Sequence, residues 1–260
     1  MASGFVDGFK LTGKEEYLKG AEGAIHFILD GIVKQGDLMR VFNKGRWHVK
    51  GYSEDYAFFI QALIDLYEAT FNVQYLKEAN NLNERMIHQF WDDKNGGFFF
   101  TGAENESLIA RSKSPYDNAI PSANSVGVFN LLRLGYLTGE EGLKKKAEQT
   151  LQLFYNFLSE HSSGFAHMLS GLSFFLSPEE IGIIGSRDDH RTKSMLKEIC
   201  LAYLPNKILS LRDPRGPAEG DWFPFLMEKE ATEIPITFVC KGFTCLPPVK
   251  DGEELKKILG

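Results

Sequence analysis

Three stretches of the chain share one skeleton, and that repeat limits the available folds more than any other feature. Leu11-Thr12 leads to Ala21, Leu66 and Thr70 lead to Ala79, and Leu134 and Thr138 lead to Ala147. The Thr-to-Ala spacing is nine residues in each, and the units recur at intervals of 58 and 68 residues. Solenoid repeats are mostly shorter, roughly 20–50 residues. The long interval points to pairs of helices joined by long loops.

The helices so spaced come in two kinds. Glu54–Ala69 is apolar nearly all round, with Tyr56, Phe58, Phe59, Ile60, Leu63, Ile64 and Leu66, and such a helix must be covered on several sides. Gln74–Trp91 has one apolar stripe, Leu76, Ala79, Met86, Ile87 and Phe90, and belongs outside. The order returns in Asn124–Leu137, apolar all round, and Gly142–Ser159, one-sided. Lys14–Gly31 reads as an outer helix whose inner mate is a stub before Leu11, and Phe165–Leu176 as a further inner helix. The expectation is a mainly α chain, a partial α/α toroid of about three helical hairpins of a six-hairpin barrel over residues 1–177.

After Pro178 the pattern changes, and residues 178–260 read as a small C-terminal α/β subdomain with a parallel-type sheet. Ile181–Gly185, Lys207–Leu211 and Ile236–Cys240 read as strands, Arg191–Leu204 and Gly252–Leu259 as helices, and Arg212–Asp221 as a loop. Phe98-Phe99-Phe100, framed by glycines, reads as a β-loop plugging the toroid.

A net charge of -6 argues against nucleic acid as a partner, and no apolar run reaches the roughly 20 residues of a membrane span. Three cysteines and no secretory leader suggest a reducing, cytoplasmic setting. Cys240 and Cys245 read as buried thiols. Neither a metal cluster nor a cofactor motif is expected: the six His are scattered and no G-x-G-x-x-G follows Gly182-Ile183-Ile184-Gly185.

The strings GYSEDYAFFIQALIDLYEATF, FWDDKNGGFFFTG, YDNAIPSANSVGVFNLLRL and FVCKGFTCLPPV resemble the C-terminal region of the spermatogenesis-associated protein 20-like, thioredoxin-domain-containing proteins of the YyaL type. The resemblance implies a toroid of the six-hairpin glycosidase and N-acylglucosamine 2-epimerase kind. It also implies a truncated or split form lacking the thioredoxin-like region and the first hairpins.

In such toroids the pocket lies where inner helices begin. Glu54, Asp55, Asp117 and His167 are the candidate proton-moving groups there. Trp47, His48, Tyr52, Tyr56, Tyr116, Asn118, Ser122 and Asn124 are the candidate substrate-binding groups, rings to stack on a sugar face and amides and hydroxyls to bind its hydroxyls. Acids in a first turn also serve the helix dipole, with Ser53 a ready N-cap. The functional expectation is a carbohydrate-active fragment or subunit, sugar isomerase, epimerase or glycosidase in type, with a small sugar ligand. The alternative is a non-catalytic interaction subunit covered by a second copy, by the missing half-toroid or by a thioredoxin-like partner.

Overall fold

Paired helices of the two kinds do alternate along the first part of the chain. The computed structural model describes residues 1–35, 37–105, 109–216, 222–227, 229–242 and 244–259. Helix α1 (Ala2–Thr12) pairs with α2 (Glu15–Gln35), and a hairpin of β1 (Met39–Asn43) and β2 (Arg46–Lys50) follows. Next come α3 (Ser53–Thr70) with α4 (Val73–Phe90), and α5 (Ala123–Thr138) with α6 (Glu141–Leu153). Then α7 (Tyr155–Glu160) and a 3-10 turn at Ser162–Gly164 lead into α8 (Ala166–Leu176). Helix α3 packs between α1 and α5, and α5 between α3 and α8, so these four form an inner row with α2, α4 and α6 behind it. The chain is mainly α and follows the plan of a partial α/α toroid.

Burial explains the row. Ile60, Leu63, Ile64 and Leu66 of α3 and Val126, Val128, Leu131 and Leu134 of α5 are fully buried. Each such side chain contributes roughly 1.5–3 kcal/mol. Helix α4 buries one side, the stripe Leu76, Ala79, Leu82, Met86 and Phe90 at helical spacing together with Val73, Tyr75 and Asn83.

The rest of the chain is a mixed layer. It runs through β3 (Glu179–Ile184), α9 (His190–Leu201), β4 (Lys207–Arg212), α10 (Pro224–Met227), β5 (Ile236–Lys241), β6 (Thr244–Cys245) and α11 (Gly252–Leu259). The sheet order is β4-β3-β5-β6, with β3 parallel to β4 and antiparallel to β5. This layer covers the C-terminal ends of the inner helices. Phe223 stacks on Tyr67 of α3 with ring centroids 5.6 Å apart, and its N–H donates to Leu137 O of α5 at 2.9 Å. Arg187 Nη1 donates to Thr70 O, in the last turn of α3, at 2.5 Å. Among the described residues no helix is long and apolar enough to cross a membrane.

Several local expectations are corrected. The inner mate of the first unit is a helix of 11 residues that packs on α3 through buried Val6, not a stub. The expected Gly142–Ser159 helix breaks at Phe154, where buried Phe154 and Leu158 turn the chain toward α8. The β1–β2 hairpin was not expected. The sheet is not all parallel, because β5 returns antiparallel beside β3. Helix α9 stops at Leu201, short of Pro205. Part of the expected Arg212–Asp221 loop, residues 217–221, lies outside the described residues. The expected β-loop at Phe98-Phe99-Phe100 is closed by a single antiparallel bridge between Phe98 and Trp91, and Phe98 is buried against Gly127 of α5, where a Cβ would meet its ring at 3.0 Å. Cys240 and Cys245 face each other across β5 and β6 and are bonded, which removes the cysteine argument for a reducing setting.

Candidate functional site

The first N–H groups of a helix lack partners within it, and one segment of this chain supplies them for three inner helices. Residues 97–105 and 109–122 cross the starts of α3, α5 and α8 as a strap. Phe100 O accepts from Ser53 N, at the start of α3, at 3.1 Å. Asn124, buried at the start of α5, clamps the strap: its Oδ1 accepts from Phe98 N at 2.7 Å, and its Nδ2 donates to Phe98 O and Ser114 O at 3.0 and 3.1 Å. Asp117 joins α5 to α8, its Oδ1 accepting from Ser122 N and its Oδ2 from His167 N, both at 2.8 Å. Ser122 caps α5 by accepting from Ser125 N at 3.0 Å.

Between the strap and the starts of α3 and α5 lies a cavity of about 210 Å³. Glu54, Tyr116, Asn118, Ser122 and Asn124 line it, so five of the twelve sequence-selected residues meet there. Tyr116 is half exposed at the rim, its ring lying over Gly164, where no Cβ would fit. Phe100 adds an apolar wall, and Tyr52 stacks on it with centroids 4.8 Å apart. Ser53 Oγ, from another wall residue, is buried and has no hydrogen-bond partner among the described residues.

The remaining residues lie elsewhere. Trp47 packs into a surface cluster with Phe27 and Phe42, over Gly31 of α2, and His48 is exposed on β2. The Tyr56 hydroxyl donates to Asp37, and burial followed by that carboxylate raises its pKa. Asp55 Oδ2 accepts from Tyr52 N at 2.8 Å; the N-cap position falls on Tyr52, one residue before the expected Ser53. Arg40 Nη1 donates to both Glu54 Oε1 and Asp55 Oδ2, at 2.7 and 3.0 Å. Burial pushes the Asp55 carboxyl up, against the lowering effect of the Tyr52 N–H and Arg40. His167 lies behind the Asp117 staple, its ring against Phe129 with centroids 4.8 Å apart. Burial lowers its pKa, and Asp117 only partly opposes this.

Sequence reading missed Arg40, Phe100, Ser112 and Ser114. Arg40 sits in the unexpected hairpin, and only the Lys44-Gly45 turn signalled it. Chemically, the cavity offers hydroxyls, an amide, rings and one carboxylate, Glu54, already held by a guanidinium. Cleavage of a glycosidic bond ordinarily uses two facing carboxyl groups about 5–10 Å apart. Among the described residues Glu54 is the one carboxylate lining this cavity, and no group of three His, Cys, Asp or Glu could hold a metal ion.

No family profile matches the chain. Human spermatogenesis-associated protein 20 is 32% identical over 277 residues, an alignment covering all of this chain and 35% of that protein. The rat protein of the same name gives the same figures, and the mouse protein is 34% identical over 214 residues, covering 80% of this chain and 27% of its own. The chain is a homologue of spermatogenesis-associated protein 20. It spans about a third of the length of the curated relatives it matches. Among solved structures it is similar to a GH76 alpha-mannanase of Bacteroides thetaiotaomicron, 21% identical with a TM-score of 0.47, over 60% of this chain and 42% of that one.

Proposed function

We propose that the chain contributes a binding pocket for a small polyhydroxylated ligand, a mono- or disaccharide, within a carbohydrate-active α/α-toroid protein. The supporting observation is the cavity at the starts of α3 and α5, where the Glu54 carboxylate, the Asn118 amide, the Ser122 hydroxyl and the Tyr116 ring converge. Those groups match sugar hydroxyls and a sugar face. The reading is binding rather than turnover, because the neighbouring carboxylates of Asp55 and Asp117 are held by Arg40 and by backbone N–H groups. Calorimetric titration with mono- and disaccharides tests it. Saturable heat is expected with at least one of them, weakened about tenfold in Glu54→Gln. Absence of heat with every sugar defeats the proposal.

A second reading rests on a different surface. Helix α8 is an inner helix without an outer mate of its own, and Leu151, Tyr155, Leu158, Leu172 and Phe175 line an apolar hollow of about 360 Å³ beside it. Tyr155 is mostly exposed there. The chain then acts as an interaction subunit, covered by a second copy, by complementary hairpins or by a thioredoxin-like partner. Light scattering at high concentration distinguishes a self-associating chain from a monomer.

A further inference from the structure

A second cavity, of about 750 Å³, opens at the opposite end of the inner row, where α1 and α3 finish and α9 crosses them. One face of α9 looks into it. Lys193, Leu196, Lys197 and Cys200 stand three and four residues apart, the spacing that puts side chains on one side of a helix. Opposite them, Phe9 of α1 and Phe71 at the end of α3 make an apolar floor, with the exposed Leu11 at its edge.

The charges in this wall are unequal in freedom. Glu68 is buried between Lys10, at 3.2 Å, and Arg133, at 3.1 Å, so its negative charge is neutralised within the fold. Lys197, by contrast, has no ion pair or hydrogen bond among the described residues, and Lys193 meets only the exposed Asp188, at 3.7 Å. Arg187 is exposed at the same mouth, one Nη1 anchored on Thr70 O. Arg187, Lys193 and Lys197 thus outnumber the exposed acids Glu15 and Asp188 around the opening, over a partly apolar interior.

The backbone at the floor is also unusual. A helix ending in the left-handed conformation normally places Gly or Asn there. Here Phe71 takes φ 53, ψ 24, its N–H donating to Tyr67 O at 2.6 Å. A bulky residue in that region is strained, and such strain concentrates at ligand sites. Its effect is to set an aromatic ring in the cavity wall where glycine would leave none.

We infer that this cavity binds a small amphipathic organic anion, its carboxylate or phosphate head between Lys193, Lys197 and Arg187 and its apolar body on Phe9, Leu11, Phe71 and Leu196. The site is separate from the pocket at the inner-helix starts, so either can fail alone. Cys200 is a built-in reporter. It is half-buried in this wall, and the other two cysteines are bonded to each other. Burial raises its thiol pKa, so labelling is run at alkaline pH.

The test titrates the chain with decanoate, decanol and inorganic phosphate, following binding by calorimetry and Cys200 alkylation by N-ethylmaleimide. Decanoate is expected to bind saturably and to slow alkylation, with decanol and phosphate each binding at least about tenfold more weakly. Lys193→Glu/Lys197→Glu weakens decanoate about tenfold or more. Lys94→Glu/Lys145→Glu, the same charge change on exposed residues that contribute nothing to the cavity wall, leaves it unchanged. Circular dichroism checks folding, and Lys197→Gln replaces the double variant if that one unfolds. Equal binding of decanol and decanoate, unhindered alkylation at saturating decanoate, or wild-type affinity in the α9 variant overturns the inference.

Discussion

Replacing Arg133 with methionine probes how the inner row is held together. The guanidinium sits at the centre of three inner helices, with Nη1 2.7 Å from Asp65 Oδ1 and Nη2 3.1 Å from Glu68 Oε1, both on α3, while Lys10 of α1 reaches Glu68 Oε2 at 3.2 Å. Its side chain is 11% exposed and that of Glu68 4%. Removing one partner of a buried pair costs about 3–5 kcal/mol, because a charge is left without compensation. Lys10 still faces Glu68 and Asp65 keeps some solvent, so the lower end, about 3 kcal/mol, is expected. Urea denaturation at pH 7 measures it. Arg133→Met/Glu68→Met should lose less than Arg133→Met alone, since no stranded buried carboxylate remains on Glu68's side. The pH dependence has a fixed sign. Burial alone would raise the Glu68 pKa, but Arg133 and Lys10 outweigh it and hold the carboxyl well below its ordinary value. A depressed carboxylate stabilises the fold above its unfolded pKa, about 4.3, and that contribution is lost as pH falls toward the folded value. The gap between wild type and Arg133→Met should therefore narrow below about pH 4.3. A single-variant loss under about 1 kcal/mol, or a gap that stays constant into acid, refutes the argument.

Asn124→Ala removes three hydrogen bonds to buried backbone groups of the strap and should cost about 2–3 kcal/mol by chemical denaturation; a change within 0.5 kcal/mol, on the order of an ordinary surface substitution, would free Asn124 from its structural assignment. Burial lowers the His167 pKa, so its neutral form is favoured in the fold. That stability is present above the unfolded pKa of about 6.5 and is lost as pH falls below it. His167→Phe should flatten the decline in stability between pH 7 and 5, which thermal melts across that range would reveal.

The helical plan was legible because it rests on periodicity. Helices apolar all round, α3 and α5, cannot stand at a surface, and one-sided α4 and α6 cannot stand at a centre. What stayed hidden was set by other forces. Gly4, Gly8 and Asp7 dilute the helical signal of α1, whose place is decided by Val6 against α3. The β1–β2 hairpin lacks an alternating buried face, since Phe42 and Val49 are exposed and its rings cluster on the surface. Its turn depends on Lys44 and Gly45 at φ 49 and 77, the pair of positive values that a two-residue loop needs, with lysine where asparagine is usual. The direction of β5 depends on the path between β4 and β5, which no local pattern encodes.

The candidate site was half legible for a related reason. Acids, amides and hydroxyls at helix starts are useful to a ligand and to a backbone in the same way, because both present donors and acceptors within hydrogen-bond reach. Asp117 and Asn124 serve the backbone: a strap from distant parts of the sequence comes to lie across them, and periodicity carries no record of that path. The same accident of path decides the electrostatics. Acid–base chemistry needs a group whose pKa is moved toward the working pH and which also reaches the ligand. The raised Asp55 and the lowered His167 meet the first condition, but neither lines the cavity, Asp55 being turned to Arg40 and Tyr52 N and His167 lying behind Asp117. Glu54 lines it but is tied to Arg40. With shifted pKa values and ligand access on different residues, the polar end of the inner row fits the proposed role of holding hydroxyls better than one of transferring protons among them.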